Sequence, residues 1–497
     1  MSSAKPYLIL MVLAFVIVAG AMGMAQTWQI KFVPLWTDIL IYVLVFSVAW
    51  FGIQARQKEH LRAPWRHVLQ RPLAMSALVV LMFYVVIGLL DSIHFREALQ
   101  QEEGQTELHY SGDVLTVFDK LVTPLRTRQE KTYSAPFASH LYAKETIETN
   151  AGQVRDFPRL KYGGQHLTDP ALDFWLDLIK GTAFSLAYSM MFWLVVSAVI
   201  TGLAARHYKK SSGIMLGEIA AGKTRVPFRP MLLTFWVLCF LAAFIIVFAD
   251  KYHILGTDKV GNDVLYYSLK SIRTGLVIGT LTTLIMLPFA VMLGIMAGHF
   301  RGWVDDVIQY LYTTLNSIPG VLLIAAAILS LQVYMANNPE LFETVTERAD
   351  LRLLFLCMIL GITSWTGLCR LLRGETFKVS RLDYIEAAQA FGTGHVKTMM
   401  RHILPNVMHI ILIAVVLDFS GLVLAEAVLS YVGVGVDPIT ISWGNMINSA
   451  RLEMARDPIV WWSLIAAFAF MFALVLAANL FSDAVRDAFD PRITRAK

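Results

Sequence analysis

The chain has 497 residues, 56% of them hydrophobic and 16% charged, with a formal net charge of +5. An ordinary soluble domain is nearer a quarter charged, so this composition argues against a string of soluble domains. Repeated apolar runs of 17 or more residues, each able to cross about 30 Å of hydrocarbon, mark a polytopic membrane protein instead.

The runs are continuous rather than alternating, so they are read as helices and not as barrel strands. The expected fold class is an all-α polytopic membrane protein with about ten spans, at 7–25, 37–53, 73–90, 182–204, 231–249, 275–298, 305–334, 353–371, 408–433 and 459–481. The first is taken as a retained anchor rather than a signal peptide, although Lys5 precedes it. The long run 305–334 is expected to kink at Pro319. Cys239, Cys357 and Cys369 all fall in apolar runs, so no disulfide is expected.

Short loops rich in Lys and Arg orient the chain. One carries Arg56, Lys58, Arg62, Arg66 and Arg71, the next Arg206, Lys209, Lys210, Lys223, Arg225 and Arg229. A third cluster holds Arg370, Arg373, Lys378, Arg381, Lys397 and Arg401. With ten spans all three fall on the cytoplasmic side, together with both termini.

Residues 91–181 then form an outer loop with mixed charge and aromatics, read as a small folded periplasmic cap. Near its end "TDPALDFWLDLIKG" is expected to be a helix, with Asp169 as N-cap and Pro170 in the first turn. Leu172, Trp175, Leu176 and Ile179 share a face, which suggests a helix along the membrane surface.

"GEIAAGKT", Gly217 to Thr224, satisfies the phosphate-loop pattern. No strand can precede it so soon after a span, and Pro227 and Pro230 follow at once. It is read as a flexible basic loop, and the chain is expected not to be an ATPase.

"DYIEAAQAFGTGHVKTMMRHILPN", residues 383–406, interrupts two apolar runs with polar, basic sequence. Asp383 and Glu386 have capping-box spacing, Ala387, Ala388 and Ala390 favour helix, and Gly392 suits a helix end of positive φ. A second short helix would set Val396, Met399, Met400 and Ile403 on one face, with Lys397 and Arg401 off it, before Pro405 and the next span. The result is a docking knob held between membrane helices. That tethering makes a DNA-binding helix-turn-helix untenable, and no nucleic acid is expected as a partner. Asp418 and Glu426 are acids inside a span. Such residues wall a substrate pathway or are tied to local hydroxyl and backbone groups. The histidines are scattered, and no metal site is expected.

"EAAQAFG", nine residues, then "HILP" resembles the signature of permease subunits of ABC importers. "HILGTDKVGNDVL" (253–265), "GHFRGWVDD", "SIPG", "LLRGE", "LAEAVLSYVGVGV", "SWGNMI" and "RDAFDPR" are similar, in order and spacing, to the oligopeptide/dipeptide/nickel permeases of C type. Asn262 and Ile254 depart from that pattern, which usually has Arg and Pro there. The resemblance covers about residues 250–492 and implies a type I importer core there. Residues 1–249, with the cap, would be an accessory membrane region.

It further implies that Glu386, Ala387, Ala388, Gly392, Leu404 and Pro405 couple to an ATPase. The loop of Gly256, Thr257, Asp258, Gly261 and Asp263 would meet a binding protein or gate the pathway, or else only cap the next helix through Asp263. The implied partners are a homologous B-type permease, two ATPase subunits that bind ATP and Mg, an extracytoplasmic binding protein and the lipid membrane. No catalytic residue and no cofactor is expected in this chain. Peptide is the expected cargo, with nickel, oligosaccharide and peptide-like antibiotic as alternatives. A stand-alone secondary transporter would need an inverted repeat with an ion site, and the sequence shows none.

Overall fold

The computed structural model describes residues 30–57, 59–99, 109–149, 152–341 and 344–489. The expected first span, 7–25, lies outside the described residues, as does the end of the "RDAFDPR" motif from 490 onward. Among the described residues nine helices are long and apolar enough to cross a membrane. They overlie the nine remaining expected spans.

In chain order the helices are α1 (Trp36–Gln57), α2 (Glu59–Val68), α3 (Pro72–Asp91), α4 (Pro170–Tyr208) and α5 (Ser212–Ala220). Then come α6 (Phe228–Phe248), α7 (Val264–Phe300), α8 (Gly302–Ser317), α9 (Gly320–Asn337) and α10 (Val345–Val379). The last four are α11 (Asp383–Ala390), α12 (His395–Tyr431), α13 (Trp443–Glu453) and α14 (Trp462–Phe489).

The centre of the bundle is the pair α7 and α10, which lie against each other for much of their length. Small residues let them approach: a Cβ on Gly294 would sit 2.8 Å from Leu372, and one on Gly361 2.8 Å from Ile285. Helices α12 and α14 pack beside them. Helix α3 packs against both α7 and α14, α6 packs on α3, and α4 on α6. Helix α1 reaches α7 and α10 from another side.

The cap is built from strands β1 (Ile30–Phe32), β2 (His94–Glu97) and β3 (Leu115–Thr116), antiparallel in the order β1-β2-β3. Two single-turn helices follow, then the hairpin of β4 (Glu145–Thr149) and β5 (Gly152–Asp156). The cap therefore begins earlier than the expected boundary at 91. Its edge strand comes from before α1, with Phe32 opposite Phe95.

Three expectations are corrected here. The run 305–334 is two helices rather than one kinked helix, because Ile318 before Pro319 is extended (φ −89°, ψ 128°), as a residue preceding proline prefers to be. The segment 169–181 is not a separate surface helix but the first turns of α4, which continues through Gly181 without a break. Asp169 does cap it, accepting from the Ala171 amide at 3.0 Å, and Pro170 is in the first turn. Gly217 to Ala220 are the end of α5 rather than a loop, with Lys210 paired to Glu218 at 2.5 Å.

Candidate functional site

The sequence "EAAQAFG" folds as α11 and its turn. The helix begins after Leu382, so Asp383 lies one position too late to accept the first amides, and the expected capping box does not form. Asp383 and Glu386 instead place negative charge in the first turn, where the helix dipole favours it. The exit is as expected: Gly392 has φ +80°. The Gly392 amide donates to Gln389 O at 2.9 Å and the Thr393 amide to Ala388 O at 3.0 Å, closing the helix in a Schellman turn.

The second short helix is continuous with the following span. Helix α12 starts at His395 and contains a π turn at Met399–Ile403. Pro405 has no N–H for the Arg401 carbonyl and its ring would crowd that oxygen, and an added residue in the turn removes the conflict. The π turn also redistributes the expected apolar face. Ile403 is buried and Met399 half-buried, while Val396 and Met400 are exposed.

Ile385 is fully buried and holds α11 to the body. Glu386 and Ala387 are exposed, Ala388 is half-buried, Leu404 half-buried and Pro405 exposed. Phe391, at the tip, is 90% exposed. The knob touches the end of α7 through His299 Nε2 and His395 Nδ1, 3.1 Å apart. Beside it Arg373 on α10 makes a two-bonded ion pair to Asp305 on α8, at 2.5 and 2.7 Å.

At the opposite end of α7 lies the outer loop 256–263. Gly256 (φ +73°) and Gly261 (φ +84°) adopt conformations that glycine tolerates. A Cβ on Gly261 would also fall 1.8 Å from the Glu130 carbonyl oxygen. Asp258 organises the turn, accepting from the Val260 and Asn262 amides at 2.9 and 2.8 Å. Asp263 caps α7, accepting from the Leu265 and Tyr266 amides at 2.8 and 3.2 Å.

The cap straps this loop down. The Glu130 amide donates to Gly261 O at 2.9 Å and the Thr257 amide to Ser134 O at 3.0 Å, and from the start of α14 the Trp462 indole donates to Thr257 O at 2.9 Å. Thr257 and Asp263 are buried as a result, so the part of the loop open to a partner is Lys259 and Val260.

His253 lies between two carboxylates, with Nδ1 2.8 Å from Asp263 and Nε2 3.5 Å from Glu130. Burial opposes its charge, but Asp263 and Glu130 outweigh burial and raise its pKa to about 9. Burial likewise opposes ionisation of Glu130, yet His253 and the amides of Tyr162, Lys161 and Gly163 lower its pKa to about 2. The His253 contribution is complete below its unfolded pKa of 6.5 and is lost as pH rises through about 9. That of Glu130 is complete above 4.5 and is lost as pH falls toward about 2. The thermal midpoint of the wild-type protein is therefore expected to fall more steeply between pH 7 and about 9.5 than that of His253→Gln. Equal slopes in the two proteins would show that His253 does not carry this pH dependence.

In the second and third turns of α7 after this loop, Lys270 and Arg273 both turn inward onto carboxylates. Arg273 pairs with Asp38 on α1 at 2.5 Å and with Asp350 on α10 at 3.6 Å, and His94 of the cap lies 2.7 Å from Asp38. Lys270 binds both oxygens of Asp119, at 2.5 and 2.6 Å, and lies 3.6 Å from Asp91. Of the two acids expected to wall a pathway, Glu426 is fully buried and accepts from the Ser430 hydroxyl at 2.8 Å. A Cβ on Gly444 would sit 2.7 Å from that carboxylate. Glu426 thus has the local tie expected of a structural acid, while Asp418 is half-buried on α12.

Residues 290–495 match the family described as binding-protein-dependent transport system inner membrane component. The glutathione transport system permease protein of Pectobacterium atrosepticum is 31% identical over 241 residues, covering 48% of this chain and 73% of that protein. The chain belongs to this permease family. The permease is also 31% identical to the di/tripeptide permease DppC of Pseudomonas aeruginosa, over 49% of this chain and 73% of that protein. It is 27% identical to the oligopeptide permease OppC of Mycobacterium tuberculosis, over 48% of this chain and 76% of that protein. The family is one of transport-system permeases and not a family of enzymes.

In the permease the two groups of expected site residues stand at opposite ends of α7, whose 37 residues extend about 55 Å at 1.5 Å per residue. Sequence reasoning missed the straps from Glu130 and Ser134, because nothing local ties them to a loop more than a hundred residues away. It also passed over Phe391, although an aromatic residue beside a turn glycine was a visible signal.

Proposed function

We propose that this permease is the C-type subunit of an ATP-driven importer of short peptides in a bacterial inner membrane. The observation that carries the reading is the knob: a rigidly anchored, exposed helix and turn that presents Phe391, Glu386 and Ala387 to a partner. An ATPase subunit docks there, with Gly392 setting the turn and Leu404 and Pro405 joining the knob to α12. Two such ATPases bind ATP and Mg, a homologous B-type permease supplies the other half of the pathway, and an extracytoplasmic binding protein delivers cargo at the outer loop. This chain holds no cofactor of its own. Peptide cargo is supported by the relatives, which are named for glutathione, di/tripeptide and oligopeptide transport. The clusters of Lys and Arg support cytoplasmic termini. Residues 250–492 form the transport core and residues 1–249 the added region.

The purified chain alone is expected to hydrolyse no ATP. Assembled with its partners it should hydrolyse ATP, faster when peptide-loaded binding protein is added. Lys223→Ala should leave that rate within about twofold, because a helix rather than a strand precedes the segment and the next helix, α6, starts only at Phe228, too late for its N-terminus to cradle a phosphate beside Lys223. Nucleotide binding by the isolated chain that disappears in Lys223→Ala would overturn the division of labour.

A further inference from the structure

We propose that the cavity between the outer loop and α13 receives the free ammonium end of a short peptide, with the Glu453 carboxylate as its acceptor. The proposal rests on the peptide reading above. It assigns to this chain, and in part to its added N-terminal region, a subsite that recognises cargo.

The cavity has a volume of about 580 Å³, the size of a small-molecule site. Glu453, the last residue of α13, is 6% exposed and forms part of its wall. The Tyr133 hydroxyl, from the cap, reaches Oε1 at 3.3 Å. Oε2 is buried and receives no hydrogen bond of good geometry, although the Ser463 hydroxyl on the same cavity lies close enough to stabilise the carboxylate in part. Buried polar atoms are normally paired, and a carboxylate oxygen left open at a cavity wall calls for a donor from outside the chain. A primary ammonium supplies three N–H donors and the opposite charge.

The surrounding charges select the same ligand. Asp258 lines the cavity as well, with its oxygens engaged by the Val260 and Asn262 amides. Burial raises the pKa of Glu453; the Ser463 and Tyr133 hydroxyls and the charge of Arg456 oppose this, Asp258 adds to it, and the net direction is up, so a cation bound at the carboxylate would favour its ionised form. The cavity's cations, Lys259 and Arg456, are exposed, and Arg456 lies 5.1 Å over the Tyr133 ring. An anion set deep with cations at the rim complements a zwitterion whose amino end enters first and whose carboxylate stays outside. Val264, Ile441 and Met446 provide apolar wall for the side chains between.

The test uses the assembled transporter in lipid nanodiscs without binding protein, titrated with trialanine, N-acetyltrialanine or propylammonium and followed by its thermal midpoint. Trialanine should bind the wild type and bind Glu453→Gln at least about tenfold more weakly. Glu453→Asp, which keeps the charge, should bind more tightly than Glu453→Gln. N-acetyltrialanine should bind weakly to all three. Equal affinity for the acetylated and free peptides overturns the proposal, as does unchanged affinity in Glu453→Gln. If trialanine does not bind although binding-protein-dependent peptide uptake proceeds, the subsite falls and the peptide reading stands. If no peptide is imported but propylammonium binds through Glu453, the peptide reading falls and the ammonium site stands. If Glu453→Gln weakens association with the binding protein while trialanine binding is unchanged, the carboxylate serves a lysine of that protein and the proposal is overturned.

Discussion

Phe391→Asp is expected to abolish cargo-stimulated ATP hydrolysis by the assembled transporter while the chain still inserts and pairs with its partner permease. Phe391 is 90% exposed at the tip of a knob whose base is pinned by the fully buried Ile385. An exposed aromatic on a rigid support is the kind of anchor that dominates an interface, and truncating one commonly costs about 2–4 kcal/mol, or 30- to 1,000-fold in affinity. Because the side chain packs on little of its own chain, its loss should leave the fold intact. Two neighbouring substitutions separate contact from geometry. Gly392→Val meets no atom within 4 Å, so its effect is backbone strain at φ +80°, about 1–2 kcal/mol for a residue with a Cβ. It should weaken coupling without a steric clash. Glu386→Lys reverses an exposed charge on the docking face and should slow docking in a salt-dependent way. The measurement is ATP hydrolysis and uptake in proteoliposomes, normalised to the amount of complex recovered. Wild-type coupling in Phe391→Asp would remove the knob from the energy-transmitting contact.

Removal of residues 1–205 is expected to prevent the remaining core from accumulating as an assembled subunit. The reason is the pairing of two inward-turned cations, the buried Arg273 and the half-buried Lys270, with buried carboxylates. Lys270 takes its counter-charges from Asp119 and Asp91, and Arg273 its closest one from Asp38, all in the deleted region. Removing one partner of a buried ion pair costs about 3–5 kcal/mol, because the other charge is left without compensation. Two such losses approach the whole stability of a typical domain. In the full-length chain Arg273→Met should also lower the thermal midpoint, since Asp38 and Asp350 then lose the cation they share. A truncated core carrying Lys270→Met and Arg273→Met should accumulate better than the truncated core with both cations. Membrane-fraction yield and the detergent thermal midpoint read these outcomes. If the truncated, unmodified core assembles and transports normally, the N-terminal region is dispensable packing. The contacts of α3 with α7 and α14 add an apolar part to the same dependence.

Features governed by short-range physics were legible along the chain alone. Apolar runs of membrane-crossing length located nine helices, because transfer into hydrocarbon depends on composition within one window. Asp169, Pro170 and Gly392 announced a helix start and a helix end, because caps and turns are decided by a few adjacent dihedral angles. The motifs that pointed to the permease family are of the same local kind. Where two local rules competed, the reading slipped by a residue or an element. Asp383 had capping-box spacing but lay inside the helix, and Pro319 ended a helix it was expected to bend. Pro405 brought a π turn within a continuous helix, where a helix end had been expected.

Which distant residues meet follows from the packing of the helices. Arg273 and Asp38 are 235 positions apart, Tyr133 and Glu453 are 320, and β1 and β2 pair across two intervening membrane-length helices, α1 and α3. In sequence Asp38 reads only as a charge at the edge of an apolar run, Lys270 and Arg273 only as one face of a helix, and Glu453 only as a surface acid. Their partners are set by how the helices pack, and a low-dielectric interior then makes each pairing, or the lack of one at Glu453 Oε2, energetically decisive.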